Sequence, residues 1–566
     1  MDPNDEITVA EAPTDLKGTA LDRREFIDML KVGGTMLLGT SLAGCSGNGG
    51  NGTDGGAVAG GVTVPEELVI ALPSGPDLLD PHQTTDNGAS YVMALLYDSM
   101  VQMDGDRNIR ESLGKGYEIS DDGTEWTIEF NVDSGITYHN GDEFTVDDVV
   151  FTFERLRDQS LIPWAVGSLQ NVEKVDDRRV TFQFEKPYAF FDIHTAYSSY
   201  FGILPEDLAG ASKEEFAQNP VGTGPYRLEE WVKDEHLTLA RNDDYETPVL
   251  DVVEADDPPR PKRIVFQVIP STTPRTQGLL TGDVDVVLPA PTKDRAKLQE
   301  SDEAAFHSFS GTSIRYLAPH NGLPPTDDRR VRQAIAHAID RERIVDDIYK
   351  GAGEVNYSPM PVGQGPWAGE TVLEEIGYEY DPDKSRQLLE DAGWEQDGDS
   401  RAKDGKRLKL SMVTGNAPQP LLQSSEEIVA MLGEVGFDVD LTTTQSNQAS
   451  VQMAQGETNL LNTGLGWGTP DVMQFMLASP YAGASNVQFF KDDKTDQYLN
   501  EAASTLDDAE RANIYEKMQL RVMELCGTIP IMSPSIEIAL SSKLGGYHYL
   551  EGSTGHMWSD IYVKDE

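Results

Sequence analysis

The chain has 566 residues, 38% of them hydrophobic and 8% aromatic, which is too long for one small domain and too apolar for a disordered polymer. Lys and Arg total 45 against 96 Asp and Glu, a net charge of −51 that would repel a nucleic-acid backbone. With only Cys45 and Cys526, neither a disulfide scaffold nor a cysteine-based zinc cluster is available. The surplus charge runs along the whole chain and is not massed in a tail. Such a fold strains in dilute buffer but is screened at molar salt, where the Debye length falls to about 3 Å, so the composition is that of a salt-adapted protein.

Residues 1–22 are polar, and the pair Arg23 and Arg24 then leads into an apolar stretch, Val32 to Gly44, loosened by glycines. That stretch is about 13 residues, too short to span a bilayer core of roughly 30 Å. It ends in Leu42-Ala43-Gly44-Cys45. The order resembles a twin-arginine export signal closed by a lipobox, which implies that residues 1–45 are a signal segment and that Cys45 carries a lipid. Residues 46–61 read as a glycine-rich tether. Gly47, Gly49 and Gly52 spell GxGxxG there, but no strand precedes them and no helix follows, so a dinucleotide site is not expected.

In the body, Glu67 to Leu72 reads as a buried strand, and Asp77, Asp80 and Pro81 mark a turn. Tyr91 to Val101 carries Val92, Leu95, Leu96 and Met100 on one helical face. The stretch Glu125–Leu156 predicts two strands, an Asn140-Gly141 turn and a helix capped by Thr145 with Asp148. Asp397, Asp399 and Asp404 lack the rest of a calcium loop and predict a solvated hairpin. His139 and the apolar-flanked Cys526 are expected to be structural, the thiol buried and inert. No GxSxG, Walker A or HExxH pattern occurs, and the carboxylate pairs are as frequent as the composition dictates, so an enzyme is not expected and no cofactor or metal is called for.

Five stretches, in order, resemble the family 5 extracellular solute-binding proteins, the dipeptide, oligopeptide and nickel binders of ABC importers. They are Glu125–Leu156, Asn219–Trp231 (NPVGTGPYRLEEW), Leu279–Val287 (LLTGDVDVV), Pro324–Gly353, with Asp340 and Gly351 bounding a helix, and Glu510–Pro534. With this acidity, the resemblance is to a haloarchaeal type. It implies an α/β, two-lobed periplasmic-binding-protein-like fold of the large, three-domain type II variety. Placed by the ordered motifs, domain one takes 62–100, 219–287 and 535–566, domain two 101–218 and domain three 288–534. The implied protein is a monomeric receptor, lipid-anchored on the extracellular face of the membrane, that closes on a peptide and hands it to a permease.

Gly466 and Trp467 in LGWGTPD match the family's pocket tryptophan segment, in which an acid pairs with a peptide's α-ammonium. Asp471 stands one place later than that acid. Thr85, Asp86 and Asn87 follow the DPH turn where the family's ligand loop lies, and Trp164 and Asn321 sit in segments resembling other pocket loops. Trp467 is expected to line the pocket, with core packing as the alternative. Gly222 and Gly224 are expected to ease hinge bending. Nickel, an oligosaccharide or another small solute is the alternative cargo, and a surface hydrolase or a non-transporting scaffold the alternative class. Two sequons, at Asn51 and Asn356, fit an outside location.

Overall fold

A computed structural model describes residues 63–105, 107–210, 213–248, 261–368, 371–416, 419–550, 556–558 and 560–564. Arg23, Arg24, Cys45, the tether and the Asn51 sequon lie outside them. Among the described residues, no helix is long and apolar enough to cross a membrane.

The strand Glu67–Leu72 forms as its apolar run predicts, with Leu68, Ile70 and Ala71 wholly buried. It lies inside a seven-stranded sheet, hydrogen-bonded in parallel to Arg263–Val268 on one side and Val286–Val287 on the other. His236–Arg241 and Tyr226–Val232 extend the sheet on one flank. On the other, Ile536–Ser541 lies between Val286–Val287 and Ala304–Phe309. Ala304–Phe309 was expected in the third domain, and its six-residue antiparallel register with Ile536–Ser541 places it in this sheet instead. A four-stranded antiparallel sheet, Gly114–Ile119, Glu125–Phe130, Arg179–Phe184 and Leu169–Asp176, forms a second layer.

Glu125–Leu156 shows one of its two predicted strands, Glu125–Phe130, followed by an isolated bridge between Thr137 and Glu143 in place of the second. Gly141 takes φ +91° in the tight turn, and the backbone N–H of Thr145 donates to the Asp148 carboxylate at 2.7 Å to open the helix Val146–Gln159. The predicted helix near Tyr91 spans Asn87–Leu96. It starts earlier because Asp86 caps it, accepting from the Ala89 N–H at 2.9 Å, and it ends before Val101, which enters a short strand.

The second lobe is built on a six-stranded sheet in the order Gly353–Val355, Ile529–Pro534, Ser313–Pro319, Leu460–Gly466, Lys409–Gly415 and Asp438–Thr444. Asp340 caps the helix Arg341–Arg343 through the Arg343 N–H, and Gly351 takes φ +75° as the chain turns into Gly353–Val355. Asp397 pairs with Ser400 in the expected hairpin. Cys526 is fully buried, and burial pushes its thiol up to about 12, leaving it inert.

The chain passes between the two large sheets at Ser310–Thr312 and again at Ser535, where strands of one end as strands of the other begin. These crossings join the two sheets, and Gly222 and Gly224 lie apart from them. Both lie against the end of the Asn87–Leu96 helix, where the Gly224 N–H donates to the Leu96 carbonyl at 3.0 Å. A Cβ on Gly222 would come within 2.0 Å of the Leu96 oxygen, so these glycines permit close packing against that helix end. Beside them the His139 ring, held below its ordinary range at about 4 by burial, contacts the Gly224 carbonyl at 3.0 Å, a structural role.

Candidate functional site

The lobes are closed on one another. A continuous apolar cluster runs from Trp126, Phe182, Phe190 and Phe191 of the four-stranded layer to Trp367, Val472 and Met518 of the second lobe. The Ala189 N–H donates to the Ala503 carbonyl across the gap at 3.0 Å, and the Arg107 guanidinium donates to the Gly363 carbonyl at 2.7 Å. Arg511 stacks over Phe190, its guanidinium carbon 4.9 Å from the ring centre.

Trp467 leaves the end of the strand Leu460–Gly466, and its backbone carbonyl is held by the Gln364 side chain at 2.6 Å. Its half-buried indole faces Tyr200 of the first lobe, ring centres 5.6 Å apart, and meets His194 edge-on at 6.1 Å. Gly466 and Gly468 flank it, and Gly468 lies directly under the Tyr197 ring. Tyr91, Tyr200 and Asp86 form the opposite wall. Burial and then the nearby Asp86 charge push the Tyr200 phenol up to about 12, burial and then Tyr200 and Asp86 lift Tyr91, and burial raises the Asp86 carboxyl. At this seam between the lobes the Trp467 and Tyr200 rings meet, with the Asp86 carboxylate set behind Tyr200.

Asp471 is buried behind Trp467, with both oxygens engaged. Oδ1 accepts from Thr469 Oγ1 at 2.5 Å and lies 3.4 Å from His194 Nε2, while Oδ2 accepts from the Tyr188 hydroxyl at 3.1 Å. His194, on the short helix Phe191–Thr195, is fully buried, with Nδ1 2.7 Å from the Ala165 carbonyl and Nε2 2.6 Å from Thr469 Oγ1. Burial alone would lower this imidazole, but the Asp471 charge and hydrogen bond, then the Ala165 carbonyl, lift it above its ordinary value. For Asp471 burial acts upward, and His194, Thr469 and Tyr188 bring the carboxyl below its ordinary value.

Trp467, Gly466, Asp471 and Asp86 are therefore brought to one region. Thr85 is half-buried, and Asn87 is the first residue of the helix that Asp86 caps. The backbone of Trp164 lies in the turn Pro163–Val166. Asn321 does not face the gap. Its Nδ2 donates to the carbonyls of Pro319, Gln488 and Gly527 at 3.0, 3.1 and 3.0 Å, and such use ties three loops together. Asn356 is buried and donates to Met360 and Ser533, so its sequon is closed to modification. The sequence reading missed His194, Tyr188, Tyr197 and Tyr200, all inside one aromatic run, KPYAFFDIHTAYSSYF, whose density was its only signal. No group of three or more His, Cys, Asp or Glu among the described residues is placed to hold a metal.

The family model for bacterial extracellular solute-binding proteins, family 5, matches residues 108–486. Heme-binding protein A of Haemophilus influenzae is 27% identical over 80% of this chain and 84% of its own length. The oligopeptide-binding protein AppA of Bacillus subtilis is 26% identical over 88% of this chain and 90% of its own. The AppA structure in complex with a nonapeptide superposes with a TM-score of 0.72 at 22% identity, covering 89% of this chain and all of that one. NikA from Brucella suis in complex with Fe(III)-EDTA superposes with a TM-score of 0.77 at 21% identity, covering 88% of this chain and 100% of its own.

Proposed function

This chain belongs to the bacterial extracellular solute-binding proteins of family 5, and from that premise we propose that it is the receptor of an ABC importer that captures peptides between its lobes and delivers them to a permease. One observation carries the reading: where the lobes close, Trp467 of one meets Tyr200 of the other, with Asp86 behind this aromatic pair, so that opening the lobes would bare both faces to a solute. Aromatic faces with a few fixed polar groups suit an extended peptide, and a solute touching both lobes favours the closed form by its differential contacts. The peptide-bound structure of the similar AppA supports the choice of cargo. Ligand contacts come from Gly466 and Trp467 on one side and Thr85, Asp86, Asn87 and Trp164 on the other.

The protein works as a monomer outside the membrane, exported through Arg23 and Arg24 and anchored by lipid on Cys45. One acyl chain gives only marginal binding, so the anchor carries two. Domains one and two, as bounded by the ordered motifs, make the first lobe, which also takes in Ala304–Phe309. The acidity adapts the molecule to molar salt, and its thermal midpoint is expected to rise steeply from 0.1 M to multimolar KCl, on the order of ten degrees. A flat response would remove the salt-adapted reading.

The functional test follows thermal unfolding of the chain from Ser46, in multimolar KCl, against short peptides, nickel and oligosaccharides. A ligand at 100 times its dissociation constant adds about 2.7 kcal/mol. A shift with peptides alone supports the reading, and a shift only with another class replaces the cargo. Trp467→Ala is expected to weaken peptide binding at least tenfold, and unchanged affinity would move the site elsewhere.

A further inference from the structure

The carboxylate beside Trp467 is the group a cationic solute would seek, yet both of its oxygens are already engaged by the protein. The Ala165 carbonyl, 2.7 Å from Nδ1 of His194, can only accept, which places a proton on Nδ1, and the Tyr188 hydroxyl, 2.9 Å from the same nitrogen, can share that proton while giving its own to Asp471. At Nε2 the nearest atom is Thr469 Oγ1, 2.6 Å away, and that hydroxyl also lies 2.5 Å from Asp471 Oδ1. The buried carboxyl of Asp471 is held below its ordinary value by His194, Thr469 and Tyr188, so as a carboxylate it takes the single Thr469 proton, and the short contact to His194 is then a donation from a protonated Nε2. The Trp467 indole N–H also points at this Nε2 from 3.3 Å and favours a bare nitrogen there, so the second ring proton is held by the Asp471 carboxylate, 3.4 Å away, against that contact. The ring is therefore a cation whose two protons are held by a carbonyl on one side and the Thr469–Asp471 pair on the other. The Tyr188 hydroxyl occupies the remaining Asp471 oxygen. His194 comes from the first lobe and Asp471 from the second, so closure itself neutralises the acid.

We infer that His194 is a built-in counter-ion for Asp471, which closes this carboxylate to a solute's ammonium, so that the solute held against Trp467 is a peptide without a free amino terminus at that end. The inference rests on the peptide-capture reading for its cargo, while the ion pair rests on the contacts that His194 and Asp471 make across the lobes. An N-acylated or cyclic peptide meets the indole and the Gly466–Gly468 backbone without stranding a second cation beside the imidazolium. A free α-ammonium placed there would face a positive charge in a buried setting, with no acceptor left on Asp471, and the other acid of this region, Asp86, is engaged as the cap of the Asn87–Leu96 helix.

The test measures binding of a mixture of short peptides and of the same mixture N-acetylated to the full chain in molar KCl. The acetylated set is expected to bind at least as tightly as the free-amine set. The variant His194→Gln, which keeps a polar side chain but no charge, is expected to shift preference at least tenfold toward free amines. A wild-type preference of tenfold or more for free amines, lost in Asp471→Asn, would overturn the inference. Nitrogen NMR of the His194 ring, in protein whose closed form is verified by small-angle scattering, supplies the second arm. A doubly protonated ring at pH 7 that becomes neutral in Asp471→Asn sustains the built-in ion pair, and a neutral wild-type ring refutes it. If neither peptide set binds but the ring is doubly protonated, the peptide reading fails and the counter-ion stands.

Discussion

Gly468 offers a perturbation that acts on closure and on little else. It belongs to the second lobe, and the nearest atoms a Cβ would meet there are all from Tyr197 of the first: Oη at 1.6 Å, Cζ at 2.3 Å and Cε1 at 3.0 Å. Ordinary carbon contacts lie at about 3.5–4.0 Å, so Gly468→Ala forces a separation of roughly 2 Å at this point or expels a buried phenol ring. Gly468 does not occupy a left-handed conformation, so its own backbone accepts alanine without strain. Overpacking of this kind costs about 1–3 kcal/mol, and here the cost falls on the closed form alone. Solute affinity should therefore drop by about 5–150-fold, the same free energy read as a ratio. Small-angle scattering of the unliganded variant should show a larger radius of gyration than wild type, and Tyr197→Ala added to Gly468→Ala should recover much of the lost affinity. A single variant with wild-type scattering and wild-type affinity would refute the view that this glycine sets the lobe approach.

Asn321→Ala is expected to lower stability by about 1–3 kcal/mol, because three carbonyls lose their shared donor, with the solute affinity of the folded protein unchanged. A tenfold loss of affinity at unchanged stability would instead place Asn321 in the pocket. The His194–Asp471 pair predicts a pH dependence whose sign follows from both directions of shift. A raised imidazole contributes stability that is complete below its unfolded value of about 6.5 and is lost as pH rises through the folded value. A depressed carboxyl contributes stability that is complete above its unfolded value of about 3.9 and is lost as pH falls through the folded value. The ring faces Tyr188 and Asp192 on its own segment and Asp471 on the other lobe, with Tyr197 and Tyr515 also within reach of the Asp471 charge. Wild type should thus exceed Asp471→Asn in thermal midpoint most at about pH 4–6.5, and the margin should shrink toward pH 9. A margin constant from pH 5 to pH 9 would contradict the ion pair.

Local signals were legible where a few neighbouring residues decide the outcome. The apolar run from Glu67 to Leu72, the Thr145–Asp148 cap, the Asn140-Gly141 turn and the hairpin at Asp397 depend on contacts within a few positions, and each formed. Trp467 between glycines stood out because small neighbours expose a large ring. What was not legible depends on partners far apart in the chain. Asp471 read as a free acid because His194, its counter-charge, lies 277 residues earlier inside an aromatic run that looks like core. Gly222 and Gly224 suggested bending, since composition cannot tell a glycine that must move from one that must admit the Leu96 backbone. Asn321 suggested a pocket amide for a similar reason, since the carbonyls it ties together come from segments up to 206 residues away.

The strand Ile536–Ser541 lies inside the seven-stranded sheet between Val286–Val287 and Ala304–Phe309, both made long before it on the ribosome. Until that late strand emerges, its neighbours hold two open edges with unpaired amides and carbonyls, the template on which chains join wrongly. It is the keystone of the first lobe, and because the chain reaches it only after building the second, the half begun first is the half completed last. A nascent chain stalled within the Asp508–Glu524 helix can assemble its second lobe only in part and cannot close its first. Biogenesis must therefore shield those edges for the time needed to translate more than 200 residues, and at the high contact order of this sheet assembly will be slow even then.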